Sequence, residues 1–438
     1  MADSRDLVVL ALLLLCRPAV GQEGTVRLRV GPDRPVAPDA PSIVHVEPHL
    51  AVDGAEPDRL LVGAIVFRDG RMTVDLLMSP DGGDTWRRTP FPACQADPWL
   101  AASSRYRVYF TCAGSVEEPP VPQLVYRSSD GGRSWNGPTR LPVGDGGSFD
   151  HASLVVNPDA GRETVYVVGL QGRLQDARPA RPLAVPFVAR STDGGAHFDR
   201  PQHLLWSDVM SNPVNPVALP NGDLGIVFYD FSVDGRQGLE SKRLWWVRWD
   251  HDEQTASLPH LVAETRATTT LPLLAAVRVA DGTTSLHIAF DDRREDQAGV
   301  FLVSSHDEGE SWDAPRPIAV EGGVAESFAN PVVASGSGGT LAVAWYERPA
   351  GAGDGCWRIR FTASLDGGVT FSEPATVSST VFCVAPAPSG PNRRWPAGGD
   401  YFGLAEAEPR TFRVVWADTR SGTYQLRTAA VRIVKETR

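Results

Sequence analysis

The stretch SSDGGRSW, Ser128 to Trp135, decides the fold because it recurs. Its variants read SPDGGDTW from Ser79 to Trp86, STDGGAHF from Ser191 to Phe198, SHDEGESW from Ser305 to Trp312 and SLDGGVTF from Ser364 to Phe371. The central aspartates Asp81, Asp130, Asp193, Asp307 and Asp366 stand about 50 to 65 residues apart, with one gap of double length. Recurrence on that scale marks repeat units that bury their apolar faces only against neighbours. Within each copy the Ser and Asp side chains can bond nearby backbone N–H groups, and the glycine takes a positive φ at little steric cost. The terminal Trp or Phe returns the chain to the apolar interior. Each copy therefore reads as a tight turn between two antiparallel strands, anchored by an aromatic ring.

This pattern is the Asp box, or bacterial neuraminidase repeat, and from about residue 40 onward the chain resembles the sialidase superfamily of β-propellers. The resemblance implies that the five Asp-box aspartates are structural and lie on the face opposite the active site. It also implies a glycan or glycoconjugate as partner.

The hairpins before the boxes repeat more regularly than the boxes themselves. Their second strands end in AIVFRD (Ala64–Asp69), RVYFTC (Arg107–Cys112), YVVGLQ (Tyr166–Gln171), IVFYD (Ile226–Asp230), IAFDD (Ile288–Asp292), VAWYE (Val343–Glu347) and VVWAD (Val414–Asp418). Seven such segments predict an all-β propeller of seven blades, with six, the usual sialidase number, as the alternative. The double gap then holds a blade whose box has decayed, near Trp249 to Gln254. The last repeat lacks a box, and TVRLRV at Thr25 to Val30 is expected to complete it and close the ring without a free edge.

Composition narrows the class. The chain has 438 residues and a formal net charge of −11, and no basic stripe interleaved with aromatics, which argues against nucleic acid as a partner. Leu7 to Leu15 is an apolar run too short to span a bilayer, and Ala19-Val20-Gly21 offers small residues for cleavage before Gln22. Residues 1–21 thus read as a secretory signal and 22–438 as one propeller domain, secreted to the extracellular or periplasmic space and expected to be a monomer. Bulky Leu15 before Cys16 argues against lipidation. The four cysteines beyond it fit an oxidising compartment, with Cys94 facing Cys112 across a hairpin and Cys356 and Cys383 flanking a box as a second bridge. No Cys/His spacing suggests zinc, and no phosphate loop follows a strand. No cofactor is expected, although a structural Ca²⁺ would suit the acids at the strand-two ends.

In a four-stranded blade the start of strand one and the end of strand two share a face, and the box lies on the other. The strand-two ends carry Asp69, Asp230, Asp292, Glu347 and Asp418, followed in the last three repeats by Arg293 and Arg294, Arg348, and Arg420. Arginine binds carboxylates bidentately, so Arg293, Arg348 and Arg420 from adjacent blades would suit a carboxylate ligand, flanked by Asp292, Glu347 and Asp418. Salt bridging of each arginine to its neighbouring acid is the other reading. The strand-one starts add Glu47, His49, Asp97, Trp99, Asp150, His151, Asn212, Asn215, Asn330, Asp400 and Tyr401.

The resemblance gives some of these a role. Asp97-Pro98 is similar to the Asp-Pro that opens the second blade of bacterial sialidases. Tyr401 opens the last blade, where sialidases carry the nucleophilic tyrosine, an exception among glycosidases. Two parts depart from the family. The first blade reads EPHLAV (Glu47–Val52) in place of an Arg-Ile-Pro motif, and the fourth lacks the glutamate that would activate Tyr401. The expected function is a secreted sialidase-like propeller that binds or processes glycans at its central pocket by a non-standard site. A functional exo-α-sialidase and a non-enzymatic extracellular scaffold are the alternatives.

Overall fold

Short runs of β-branched and aromatic residues, such as Leu60–Arg68 and Thr411–Asp418, fold into seven antiparallel sheets in a computed structural model of the chain. The structure describes residues 25–436 except 37–41, 54–55, 104–105, 118, 144–145, 159–162, 174–183, 205–209, 233–240, 266–272, 279–282, 295–296, 323–324 and 385–396. The expected signal segment, Cys16, the side chain of Asn212 and most of the Pro386–Gly399 connector lie outside the described residues.

Blades 1 to 7 span residues 44–91, 96–140, 146–203, 210–265, 273–320, 325–376 and 403–436. Each innermost strand lies against the next, and Gly403–Glu408 of blade 7 returns against Val44–Val52 of blade 1. The chain thus forms a seven-bladed propeller, as the hairpin count predicts. Thr25–Val30 supplies the outermost strand of blade 7, pairing antiparallel with Gln425–Glu436 from Thr25↔Glu436 to Val30↔Val431. Interleaving N- and C-terminal strands in one sheet closes the ring at this blade.

The apolar core lies between blades. Trp345 and Trp416 are fully buried there. The disulfides Cys94–Cys112 and Cys356–Cys383 both form, the second between directly paired residues. No helix among the described residues is long and apolar enough to cross a membrane.

All five repeated turns share one bonding scheme. In blade 2, Ser128 Oγ donates to Asp130 Oδ1 at 2.7 Å and accepts the Gly132 N–H at 2.9 Å, while Asp130 Oδ1 accepts the Ser134 N–H at 2.9 Å. Burial opposes ionisation of Asp130, but the bonds from Ser134, Ser128 and Arg133 outweigh it and hold its pKa at about 2. In blade 4, Asp250 accepts the N–H groups of Asp252 and Glu253, so the decayed copy keeps an aspartate-braced turn. Because each turn joins strand three to strand four, all lie on the face opposite the strand-one starts.

Candidate functional site

The innermost strands open on that opposite face with a bulge. Register shifts interrupt pairing at Val46/His49, Ala96/Trp99, Asp150/Ser153, Ser211/Val214 and Ala329/Val332 in five of the blades. At four of them the extra residue is polar and left-handed, with φ of 52° at Glu47, 52° at Asp97, 45° at His151 and 50° at Asn330. A proline follows in three, Pro48, Pro98 and Pro331, and a bulge accommodates proline because no ladder N–H is needed there. These bulges re-aim acidic and amide side chains at the mouth of the axis. The recurring acid- or Asn-Pro dipeptide is a sequence signal for them, visible at Glu47, Asp97, Asn212 and Asn330.

Blades 1, 2 and 3 bring three of those bulge residues, Glu47, Asp97 and His151, together with Asp400, which precedes the first strand of blade 7. His151 Nδ1 lies 3.1 Å from Asp150 Oδ1, its Nε2 lies 3.7 Å from Asp400 Oδ2, and its backbone N–H donates to Asp97 Oδ2 at 3.2 Å. The Asp400 N–H in turn donates to Glu47 Oε1 at 3.3 Å. Burial disfavours the charged imidazole, but the charge of Asp97 and the bonds to Asp150 and Asp400 outweigh it, so the pKa of His151 is raised well above 6.5. The pKa of Asp97 is raised as well, first by burial and further by Asp150 and Asp400. His151 keeps 20% of its side chain exposed, so a ligand can reach it.

Beside this group an aromatic wall lines a small axial cavity of about 140 Å³. His49 and Trp99 lie with ring centroids 3.9 Å apart, and Tyr401 meets Trp99 edge-on at 5.5 Å. The Tyr401 hydroxyl donates to the Pro98 carbonyl at 3.3 Å. Its pKa is pushed well above 10 by burial first, then by Glu47, Asp97 and Asp400. Asp97 and Tyr401 therefore share one site, and Glu47 stands close enough for its charge to bear on Tyr401.

The arginines are each engaged by an acid. Arg293 reaches Glu321 at 3.5 Å, Arg348 pairs with Asp354, and Arg420 holds Asp418 at 2.6 Å and Asp33 at 3.0 Å. Among the flanking acids, Asp292 binds Arg294 at 2.9 Å and Glu347 binds its cross-strand neighbour Arg358. Trp416 and Trp345 donate their indole N–H to Asp418 and Glu347.

Among the described residues, one group at the axial mouth could hold a metal. Asp97, Asp150 and His151 offer three ligand atoms within 4.8 Å of one another. Ca²⁺ takes roughly six to eight oxygen ligands, so a group of two carboxylates and an imidazole suits it poorly.

The fold and this opening define a seven-bladed β-propeller with a carboxylate-lined axial mouth. No protein-family model matches the sequence, and comparison with curated proteins finds none that matches. Solved structures do resemble it. An ulvan lyase bound to -[GlcA(1-4)Rha3S]- superposes with a TM-score of 0.52 at 11% identity, over 88% of this chain and 93% of that one. A protein of unknown function from Dyadobacter fermentans gives 0.51 at 14% identity, over 77% and 97%. The Hadza microbial sialidase Hz136 gives 0.47 at 15% identity, over 86% and 74%. At these identities the likeness is one of fold.

Proposed function

We propose that the axial mouth binds a glycan and processes it by acid–base chemistry. The observation that carries this reading is the convergence of Asp97, Asp150, His151 and Asp400 beside the ring faces of Trp99 and Tyr401. Burial holds the Asp97 carboxyl toward its protonated form, which suits a donor to a leaving oxygen. The His151 imidazole, partly exposed beside it, suits orientation of an acidic or hydroxyl group of the ligand. The ulvan lyase among the similar structures supports glycans as the ligand class.

A finer reading is an exo-α-sialidase, in which Tyr401 attacks the sugar and Arg293, Arg348 and Arg420 hold the carboxylate. The position of Glu47 favours it, because Glu47 supplies a carboxylate near Tyr401 in place of the glutamate that the fourth blade lacks. In that reading Tyr401 turns its hydroxyl from Pro98 to Glu47, and each arginine exchanges a protein acid for the ligand.

Glycan-array binding followed by a hydrolysis screen of the positives tests both. Binding lost in His151→Gln supports the axial site, and no binding on a broad array would leave an interaction scaffold as the better reading. Release of a fluorophore from an α-sialoside, lost in Tyr401→Phe, selects the finer reading.

A further inference from the structure

A larger cleft of about 600 Å³ opens on the repeated-turn face, between blades 2 and 3. Its floor is a network joining the two blades. Glu163, with a side chain only 3% exposed, accepts from the Tyr109 hydroxyl at 2.8 Å and pairs with Arg107 at 3.3 Å. Above this floor stands Arg127, whose Nη1 is buried with no hydrogen-bond partner among the described residues.

The repeat supplies an internal control. Arg127 precedes the turn of blade 2, and Arg190 precedes that of blade 3 at the equivalent position. In blade 3 the residue after the turn is Asp199, which pairs with Arg190 at 3.3 Å. In blade 2 the same place is held by Asn136, set opposite Arg127 in the strand ladder, and an amide cannot neutralise the guanidinium. Among the described residues, Arg127 at the wall of this cleft therefore has no paired acid like the one Arg190 has.

The other charged groups there already have partners. Glu163 has Arg107 and Tyr109, and Asp193 accepts from Ser191, Ala196 and His197. A buried guanidinium N–H without an acceptor is costly, and an oxyanion binds arginine through paired hydrogen bonds. The remaining wall offers the hydroxyls of Ser129 and Thr192 and the Asn136 amide, groups that suit a polyhydroxylated ligand. The cleft also falls within the usual size of small-molecule sites.

We propose that this cleft is a second ligand site, separate from the axial mouth, which takes an acidic sugar with its carboxylate or sulfate on Arg127. Calorimetric titration of the whole protein with glucuronate, glucose 6-sulfate and glucose tests it. At least one of the two acids saturates the site and glucose does not; which acid binds identifies carboxylate or sulfate as the preferred group. Arg127→Gln removes the cation, and Asn136→Asp supplies the internal partner seen in blade 3. Each lowers the affinity at least about tenfold, as expected for loss of charge-assisted hydrogen bonds. Circular dichroism checks the folding of both variants, and should Asn136→Asp fail to fold, Arg127→Gln decides alone. Absence of saturable binding by both acids, equal binding of glucose, or affinity unchanged in the folded variants overturns the proposal.

Discussion

Asp97 on blade 2 accepts the backbone N–H of His151 on blade 3 at 3.2 Å, and this bond ties two innermost strands together at the mouth of the axis. It also leaves the carboxyl of Asp97 beside the imidazole of its neighbour. An amide at position 97 keeps the acceptor and loses the proton. Asp97→Asn is therefore expected to retain the fold while turnover of a glycan substrate falls about a hundredfold, the usual scale for removing a general acid. Turnover equal to wild type, at an unchanged melting temperature, would remove Asp97 from the chemistry.

His151 and His49 give opposite pH responses. The raised pKa of His151 means that its contribution to stability is fully present below the unfolded value near 6.5 and is lost as pH rises through the folded value. His49 accepts the Leu100 N–H, and burial lowers its pKa to about 3. Its contribution is present above pH 6.5 and is lost as pH falls toward 3. Proton NMR titration of the two rings checks both directions, and a His151 midpoint at or below 6.5 contradicts the first.

Asp33 latches the N-terminal strand to blades 6 and 7. It accepts the Ser379 N–H at 2.8 Å and binds Arg427 at 2.8 Å and Arg420 at 3.0 Å. Burial raises its pKa, but these bonds outweigh it and hold the value at about 2, against 3.8 unperturbed. The stabilisation is thus complete above about pH 3.8 and is lost as pH falls through 2. Asp33→Ala should cost about 2–3 kcal/mol at neutral pH, because two arginines lose a buried partner. Thermal unfolding across an acid series should show the difference from wild type shrinking below pH 3.8.

Ser364 isolates the role of a repeated turn. Its buried Oγ accepts the Gly368 N–H at 2.8 Å and donates to Asp366 at 2.6 Å. Ser364→Ala leaves that buried amide unpaired and should destabilise by about 1–3 kcal/mol. Ligand binding per folded molecule should not change, since the turn lies on the face away from the axial mouth. Altered ligand affinity in a folded Ser364→Ala protein would contradict that separation.

The repeated turns were legible because all their bonds close within eight residues, from Ser128 to Trp135 in blade 2. The pattern survives even in the decayed copy at Asp250. Glu347 with Arg358 follows from hairpin register and was readable from the same local logic. Arg420 with Asp33 was not, since the two meet only after the N-terminal strand has crossed to blade 7. The contrast of Arg127 and Asn136 with Arg190 and Asp199 is local, but the cleft that Arg127 lines exists only where blade 3 packs against blade 2.

By itself, the sequence determined the propeller and favoured seven blades over six, because period, turn chemistry and strand pattern are properties of neighbouring residues. Tertiary structure alone decided which strand-one residues meet. Glu47, Asp97, His151 and Asp400 span most of the chain, and they converge because the ring closes blade 7 against blade 1 and because bulges re-aim the first three. That convergence depends on register and closure, to which no local stretch of sequence is sensitive.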